Sequence, residues 1–162
     1  MGNSATGKSR FSQMIGEEFD LPIIHLDTVF WHPDWTRSTR GEFIDAVREL
    51  AKEQKWVLDG TYADFDPFHR IQAADVVVMF DMPLKTCLRQ AANRRGSERD
   101  DFPLDDLKIS FALNVLLVLR MVLFSITGKF RIVSIAHRTG TPLIRIHQWC
   151  EEPAVLAQLH NF

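Results

Sequence analysis

Polar and apolar positions follow each other in blocks that alternate between a helical period and short apolar runs. A polar, glycine-containing stretch at residues 2–7 leads into a helical pattern over residues 8–19, and an apolar run at residues 21–26 reads as a strand. A second cycle places a helix over residues 40–52 and a strand at residues 56–59, WVLD. The run DVVVMFD at residues 75–81 is nearly all β-branched or apolar, as a strand buried on both faces requires. Pro83 opens a further helix that the pattern carries to about Arg95, with Gly96 ending it. Beyond a charged loop at residues 97–101, helical segments reach about His137. A turn at Thr139-Gly140-Thr141, the strand PLIRIH and a terminal helix after Glu151 complete the order. Helix and strand alternate throughout, which predicts an α/β fold with a parallel sheet.

The most lipid-like stretch is residues 111–127, but Asn114 and Arg120 lie inside it. It is expected to be a helix buried between the sheet and a lid, and no membrane span is expected. The chain of 162 residues is 46% apolar and 25% charged, enough to bury one core, and neither internal repeat nor low-complexity linker divides it. One domain over residues 1–162 follows. A net charge of −2 leaves no chain-wide basic footprint, so nucleic acid is not expected as a partner. Cys87 and Cys150 have no C-x-x-C spacing, and no apolar leader follows Met1, which together point to reduced thiols and a cytoplasmic location.

The strongest chemical signal is Gly2-Asn3-Ser4-Ala5-Thr6-Gly7-Lys8-Ser9, which satisfies G-x-x-x-x-G-K-[ST]. Glycines permit a tight loop whose backbone N–H groups turn toward phosphate oxygens, and the helix starting near Lys8 adds the positive end of its dipole. Lys8 suits the terminal phosphates, and the Ser9 hydroxyl suits Mg²⁺. Such a loop ordinarily follows a buried strand, yet Gly2 stands next to Met1. The expectation is an N-terminally shortened chain whose sheet lacks its central strand. Restoring upstream residues is expected to raise stability and ATP affinity.

Polar residues that end parallel strands converge on one sheet edge. Asp27, Asp59 and Asp81 each close an apolar run. Asp59, followed by Gly60, is the candidate for the metal side, and Asp27 the candidate for orienting an accepting oxygen. Strand-end turns and helix caps explain aspartates at such positions equally well. Arginine supplies planar, bidentate phosphate contacts. Arg37 and Arg40 follow the strand at residues 21–26, near where an acceptor would dock, while Arg89, Arg94 and Arg95 lie at the end of the helix after FDMP and read together as a lid hinge. Arg120, Arg131 and Arg138 are further candidates. The run Phe30-Trp31-His32-Pro33-Asp34-Trp35 fits either an acceptor-pocket wall or core packing. His25 and His32 lack the second spaced pair that would complete a metal site.

These residues together resemble the adenylate-kinase-like P-loop proteins, a family that includes members labelled topology modulation proteins. The resemblance covers nearly the whole chain through GNSATGKS, LPIIHLDTVFW, WVLDGTY, and DVVVMFDMP continuing to Asn93-Arg94-Arg95. It implies a three-layer nucleoside/nucleotide kinase-like fold, with an acceptor-side region at about residues 28–54 and a lid-like region at about residues 94–128. It also implies that Arg94 and Arg95 touch ATP, that Asp59 serves the magnesium, and that Gly60 lies near the acceptor. After Asp59-Gly60 this chain has Thr61-Tyr62-Ala63 where adenylate kinases carry an aromatic-proline-arginine run that contacts the monophosphate, so AMP is not the expected acceptor.

The function expected is Mg²⁺-dependent transfer of the ATP γ-phosphoryl group to a nucleotide, a nucleoside or another small molecule, by a monomer or homodimer. Lys8, Asp27, Asp59 and Arg94 are the expected catalytic set. ATP would lie on residues 2–9 with Arg89, Arg94 and Arg95, the acceptor on Asp27, Arg37, Arg40 and Gly60, and the metal on Ser9 and Asp59. The alternatives are a nucleotide-binding switch or ATPase without a phosphorylated acceptor, and a regulator of DNA topology.

Overall fold

A computed structural model describes residues 1–34, 36–93 and 111–162, with the side chains of residues 111–114 left aside. The chain is a mixed α/β structure with short parallel sheets. Helix α1 (Lys8–Phe19) is followed by β1 (Ile23–His25), α2 (Leu26–Phe30), α3 (Arg40–Leu50) and β2 (Val57–Asp59). Next come α4 (Pro67–Gln72), β3 (Val77–Phe80) and α5 (Leu84–Asn93). Helix α6 (Phe111–Leu123) passes through a π-helical turn at Phe124–Gly128 into α7 (Lys129–Thr139), and β4 (Leu143–Ile146) and α8 (Glu152–Leu159) follow.

The predicted α/β alternation is present, with several differences of extent. The run at residues 21–26 is a strand only over Ile23–His25, because Leu26 turns into α2, whose first turn is held by Thr28 Oγ1 donating to His25 O at 2.8 Å. Asp27 therefore lies on a helix and not at a strand end. Helix α3 stops at Leu50; its start is set by a capping box, in which Thr39 Oγ1 accepts from Glu42 N–H and the Glu42 carboxylate accepts from Thr39 N–H. Helix α5 is described to Asn93, so Arg94, Arg95 and the loop at residues 97–101 lie outside the described residues.

Two parallel pairs make up the sheet elements. β1 and β2 align Ile23 with Val57 and His25 with Asp59, while β3 and β4 align Val77 with Leu143 and Phe80 with Ile146. Helices cover both faces of β3. Phe80 packs with Phe11 of α1, Cys87 of α5 and Val155 of α8, whereas Val77 and Met79 meet Ile71 of α4 and Ile132 and Ile135 of α7. A third cluster joins Leu26 and Phe30 of α2 to Phe43 and Val47 of α3.

One expectation about packing is overturned. Residues Val115–Leu119, Leu123, Ile126 and Phe130 are exposed, and of this apolar stretch Met121 is the side chain driven into the core, at 1% exposure. Among the described residues this segment is largely exposed, in place of the buried helix expected. A period of 3.6 with apolar residues on every side buries a single stripe when only one face has a neighbour. Among the described residues no helix is long and apolar enough to cross a membrane.

Candidate functional site

The site grows from the junction of Met1–Gly2 with the ends of β2 and β3. Gly2 bridges Phe80 in parallel, and Phe80 N–H donates to Met1 O at 2.9 Å. On its other side Gly2 N–H donates to Thr61 Oγ1 at 2.9 Å, and that hydroxyl returns a bond to Gly2 O at 2.5 Å. Gly2 has φ 146°, and a Cβ there would stand 2.8 Å from Phe80 O, so only glycine allows this approach.

Residues 2–9 then curl into α1 with Ala5 at φ 59° and Gly7 at φ 91°. Gly7 caps α1, and no side chain bonds the first-turn amides as a cap. The loop is braced from within. Asn3 is buried and its Nδ2 donates to Met121 O at 2.9 Å and Ser125 Oγ at 3.1 Å, which ties the loop to α6. Thr6 Oγ1 and Lys8 Nζ both donate to Asn3 O, at 3.0 and 2.6 Å, and Ser4 N–H donates to Asn3 Oδ1 at 2.9 Å. Trp149 Nε1 donates to Thr6 O at 2.9 Å from outside. Beneath the loop, Arg10 pairs with the buried Glu152 through Oε2, leaving Glu152 Oε1 without a hydrogen-bond partner. Ser9 lies half-buried in the first turn of α1. A hollow of about 250 Å³ beside the loop is lined by Ala5, Gly7, Arg10, Gln90 and Trp149.

At the end of β2, Asp59 is buried and its Oδ2 lies 3.1 Å from Nδ1 of His25 on the adjacent strand. Two residues on from His25, Asp27 accepts a 2.6 Å hydrogen bond from the Tyr62 hydroxyl. Burial and the Asp27 charge push the Tyr62 phenol well above its usual range, so it remains a donor. Asp59 and Asp27 thus hold separate partners, His25 and Tyr62 respectively. Asp81 stands apart, held by Lys129 and, at 3.9 Å, by Arg145.

The remaining expected residues are placed less centrally. The Arg37 guanidinium lies 5.1 Å from the centre of the Trp31 ring, and that of Arg40 lies 5.7 Å from Phe65. Arg89 is exposed on α5. Gly60, with φ 141°, has a packing reason to be glycine, since a Cβ would sit 2.7 Å from Leu26 Cβ. Phe30 is core, 9% exposed and ringed by Trp31, Phe43, Tyr62 and Phe65, while Trp35 lies outside the described residues.

Thr61, Tyr62, His25 and Trp149 were not singled out for these roles by their sequence positions. For His25 a signal existed, since two apolar runs ending His-Leu-Asp and Leu-Asp, paired in parallel, bring an imidazole beside a carboxylate. Among the described residues no three His, Cys, Asp or Glu side chains form a metal-binding group. Neither the scan of protein-family models nor the search of curated proteins returns a match to this chain.

Proposed function

We propose that the chain is an ATP-binding phosphotransferase of the adenylate-kinase-like type, acting with Mg²⁺ on a small acceptor. The observation that carries the reading is the loop at residues 2–9. It is a closed turn with two left-handed positions that runs directly into α1, whose N-terminus has no side-chain cap, with Lys8 Nζ held on the loop's own Asn3 carbonyl. Backbone amides and a helix dipole with no side-chain cap suit a polyphosphate, and an ammonium within the loop offsets its charge. Helices on both faces of parallel strands agree with a layered kinase-like fold.

Bound Mg-ATP would supply the phosphoryl group and neutralise charge on the oxygens around it. Ser9 and Asp59 are the residues to hold the metal. His25 and Asp59 form a polar pair in which a carboxylate accepting Nδ1–H leaves Nε2 as a proton acceptor, and Asp27 is oriented by Tyr62 to receive an acceptor hydroxyl. Arg89 remains an exposed candidate for the nucleotide, Arg37 and Arg40 for the acceptor, and Gly60 lies beside the same edge.

A switch or ATPase without an acceptor is the second reading, favoured by the exposed apolar side of α6, which is bonded to the loop through Asn3. Mg-ATP titrated into the protein in a calorimeter, followed by a transfer screen over nucleotides, nucleosides and small alcohols, tests both. Binding that Lys8→Ala abolishes, together with turnover of an acceptor, is the expected result. Slow hydrolysis that no acceptor accelerates selects the switch. Uptake unchanged by Lys8→Ala removes the loop assignment altogether.

A further inference from the structure

The exposed apolar side chains are concentrated in one place. Of the nine large ones exposed among the described residues, eight lie between Val115 and Phe130, and the ninth is Phe162. Exposed apolar residues scattered singly need no explanation, whereas a contiguous run marks a surface that meets something. Leu116, Leu119, Leu123, Ile126 and Phe130 follow one another at intervals of three and four residues. That spacing sets them along one side of the continuous helical path through α6, the π-helical turn and α7. Ile126 and Phe130 are the most exposed, at 67% and 76%. Met121, on the buried side of α6, packs in the core with Phe11 and Phe80.

Charge is distributed unevenly along the same path, which the net charge of −2 hides. From Phe111 to Cys150 the chain has no Asp or Glu, and all 21 carboxylates of acidic side chains lie elsewhere. That stretch carries Arg120, Lys129, Arg131, Arg138 and Arg145. Lys129 is committed to Asp81, and Arg145 lies 3.9 Å from the same carboxylate. The other three are exposed. Arg120 forms no ion pair among the described residues. Arg131 lies 3.7 Å from Asp64, whose side chain is itself 87% exposed, a pairing of little strength in water. Arg138 lies 6.0 Å from the centre of the Phe68 ring, and its spacing of seven from Arg131 puts both on one side of α7.

An anionic lipid surface matches both features. Its acyl boundary receives aliphatic and aromatic side chains, and its headgroups meet cations whose long stems reach outward from the depth of the apolar row. A second copy of the chain matches less well. Pairing through the same surface would set the cations of α6 and α7 against those of the partner, with no carboxylate on either helix to relieve them. The π-helical turn also interrupts the regular period that interlocked helices require, whereas a bilayer has no register to match. Among the described residues no helix is long and apolar enough to cross a membrane, so the fitting arrangement is a helix lying in the plane of the surface.

We propose that the outer side of α6 and the start of α7 is a peripheral docking surface for an anionic phospholipid bilayer. Leu116, Leu119, Leu123, Ile126 and Phe130 enter the boundary between headgroups and acyl chains, and Arg120, Arg131 and Arg138 meet the lipid phosphates. The core-facing side of the same helix, with Met121, remains packed as it is, so docking requires no unfolding.

The test uses the full chain without nucleotide, so its outcome is separate from that of the proposed activity. Flotation with vesicles of phosphatidylcholine alone is compared with flotation with vesicles in which about one-third of the lipid is phosphatidylglycerol. The chain is expected to bind the anionic vesicles roughly tenfold or more tightly than the neutral ones, and to be released as salt is raised. Ile126→Gln with Phe130→Gln is expected to weaken that binding by roughly tenfold or more through lost insertion, and Arg120→Gln with Arg131→Gln by a similar factor through lost charge. Urea midpoints check that both variants fold. Absence of binding to the anionic vesicles, equal binding to the two kinds of vesicle, or binding that either pair of substitutions leaves unchanged overturns the docking surface. A dimer in solution that Ile126→Gln with Phe130→Gln dissociates, without vesicle binding, also overturns it and gives the face to a second copy.

Discussion

His25 and Asp59 face each other across the β1–β2 pair, with Nδ1 and Oδ2 3.1 Å apart and the carboxylate side chain only 8% exposed. Parallel register sets this meeting, since His25 and Asp59 are aligned residues at the carboxyl ends of their strands. The pair joins a group able to take a proton to one able to hold a cation, beside the loop that begins at Gly2.

Asp59→Asn keeps the shape of the pair and removes its charge. Under the proposed reaction, transfer is expected to fall by roughly a hundredfold or more, within the range that a positioned acid–base or metal-holding group contributes. Nucleotide affinity measured with the metal chelated is expected to stay at the parental value. Calorimetry with and without Mg²⁺, beside single-turnover rates, checks this. An equal loss of affinity in both conditions would make Asp59 a structural support of the loop.

The difference between Asp59 and Asp27 shows where the sequence was legible. Asp59 ends an apolar run that is a strand up to that residue, because Val57 and Leu58 fit a pleated, buried surface. Asp27 ends an equally apolar run that turns into α2 one residue earlier, a five-residue helix held by bonds to His25 and by burial of Leu26 and Phe30 against α3. Short helices of this kind, like α4, are formed by tertiary contacts and leave no periodic signal. The same holds for Trp149 reaching Thr6 across 143 positions. The glycine-lysine loop, in contrast, is local in sequence, and the tight turn its pattern predicts ahead of a helix at Lys8 is present. What local pattern could not reveal was whether α6 had neighbours on every side.

Phe30→Leu separates a core role from a pocket role. Phe30 meets Trp31, Phe43 and Phe65 edge to face, with ring centroids 5.4 to 5.6 Å apart. Losing these contacts in a buried cluster is expected to cost about 1 to 3 kcal/mol. Urea denaturation reads this directly. A variant of parental stability would return Phe30 to the wall of an acceptor pocket.

The exposed side of α6 gives a contrasting expectation. Leu116 and Leu119 are 46% and 51% exposed. Leu116→Gln with Leu119→Gln is expected to change stability by no more than about 0.5 kcal/mol, because glutamine is a good helix former and little burial is lost. Binding of an apolar dye by the folded protein is expected to drop, since contiguous exposed apolar surface is what such dyes find. A melting temperature lowered by several degrees would show that this side is packed in solution.

The buried Met1 amine makes stability depend on pH, which an exposed terminus with an unshifted pKa does not do. It is buried against Val78 O, and burial, reinforced by the Lys8 charge, lowers its pKa to about 5 from the ordinary 8.0, with Asp59 opposing the shift. The unfolded amine holds a proton up to about pH 8, while the folded one holds it only below about 5. Unfolding therefore takes up a proton between those values, and the native state gains stability as pH rises through that window, by at most about 1.4 kcal/mol per pH unit. Below pH 5 both states are protonated and this dependence ends. Acetylating the terminal amine removes the titrating group while keeping an N–H for Val78 O. The expected result is a urea midpoint that rises from pH 5 to pH 8 in the parent and rises less steeply in the acetylated chain. Parallel curves for the two would place the amine in solvent and undo the pairing of Met1 with β3.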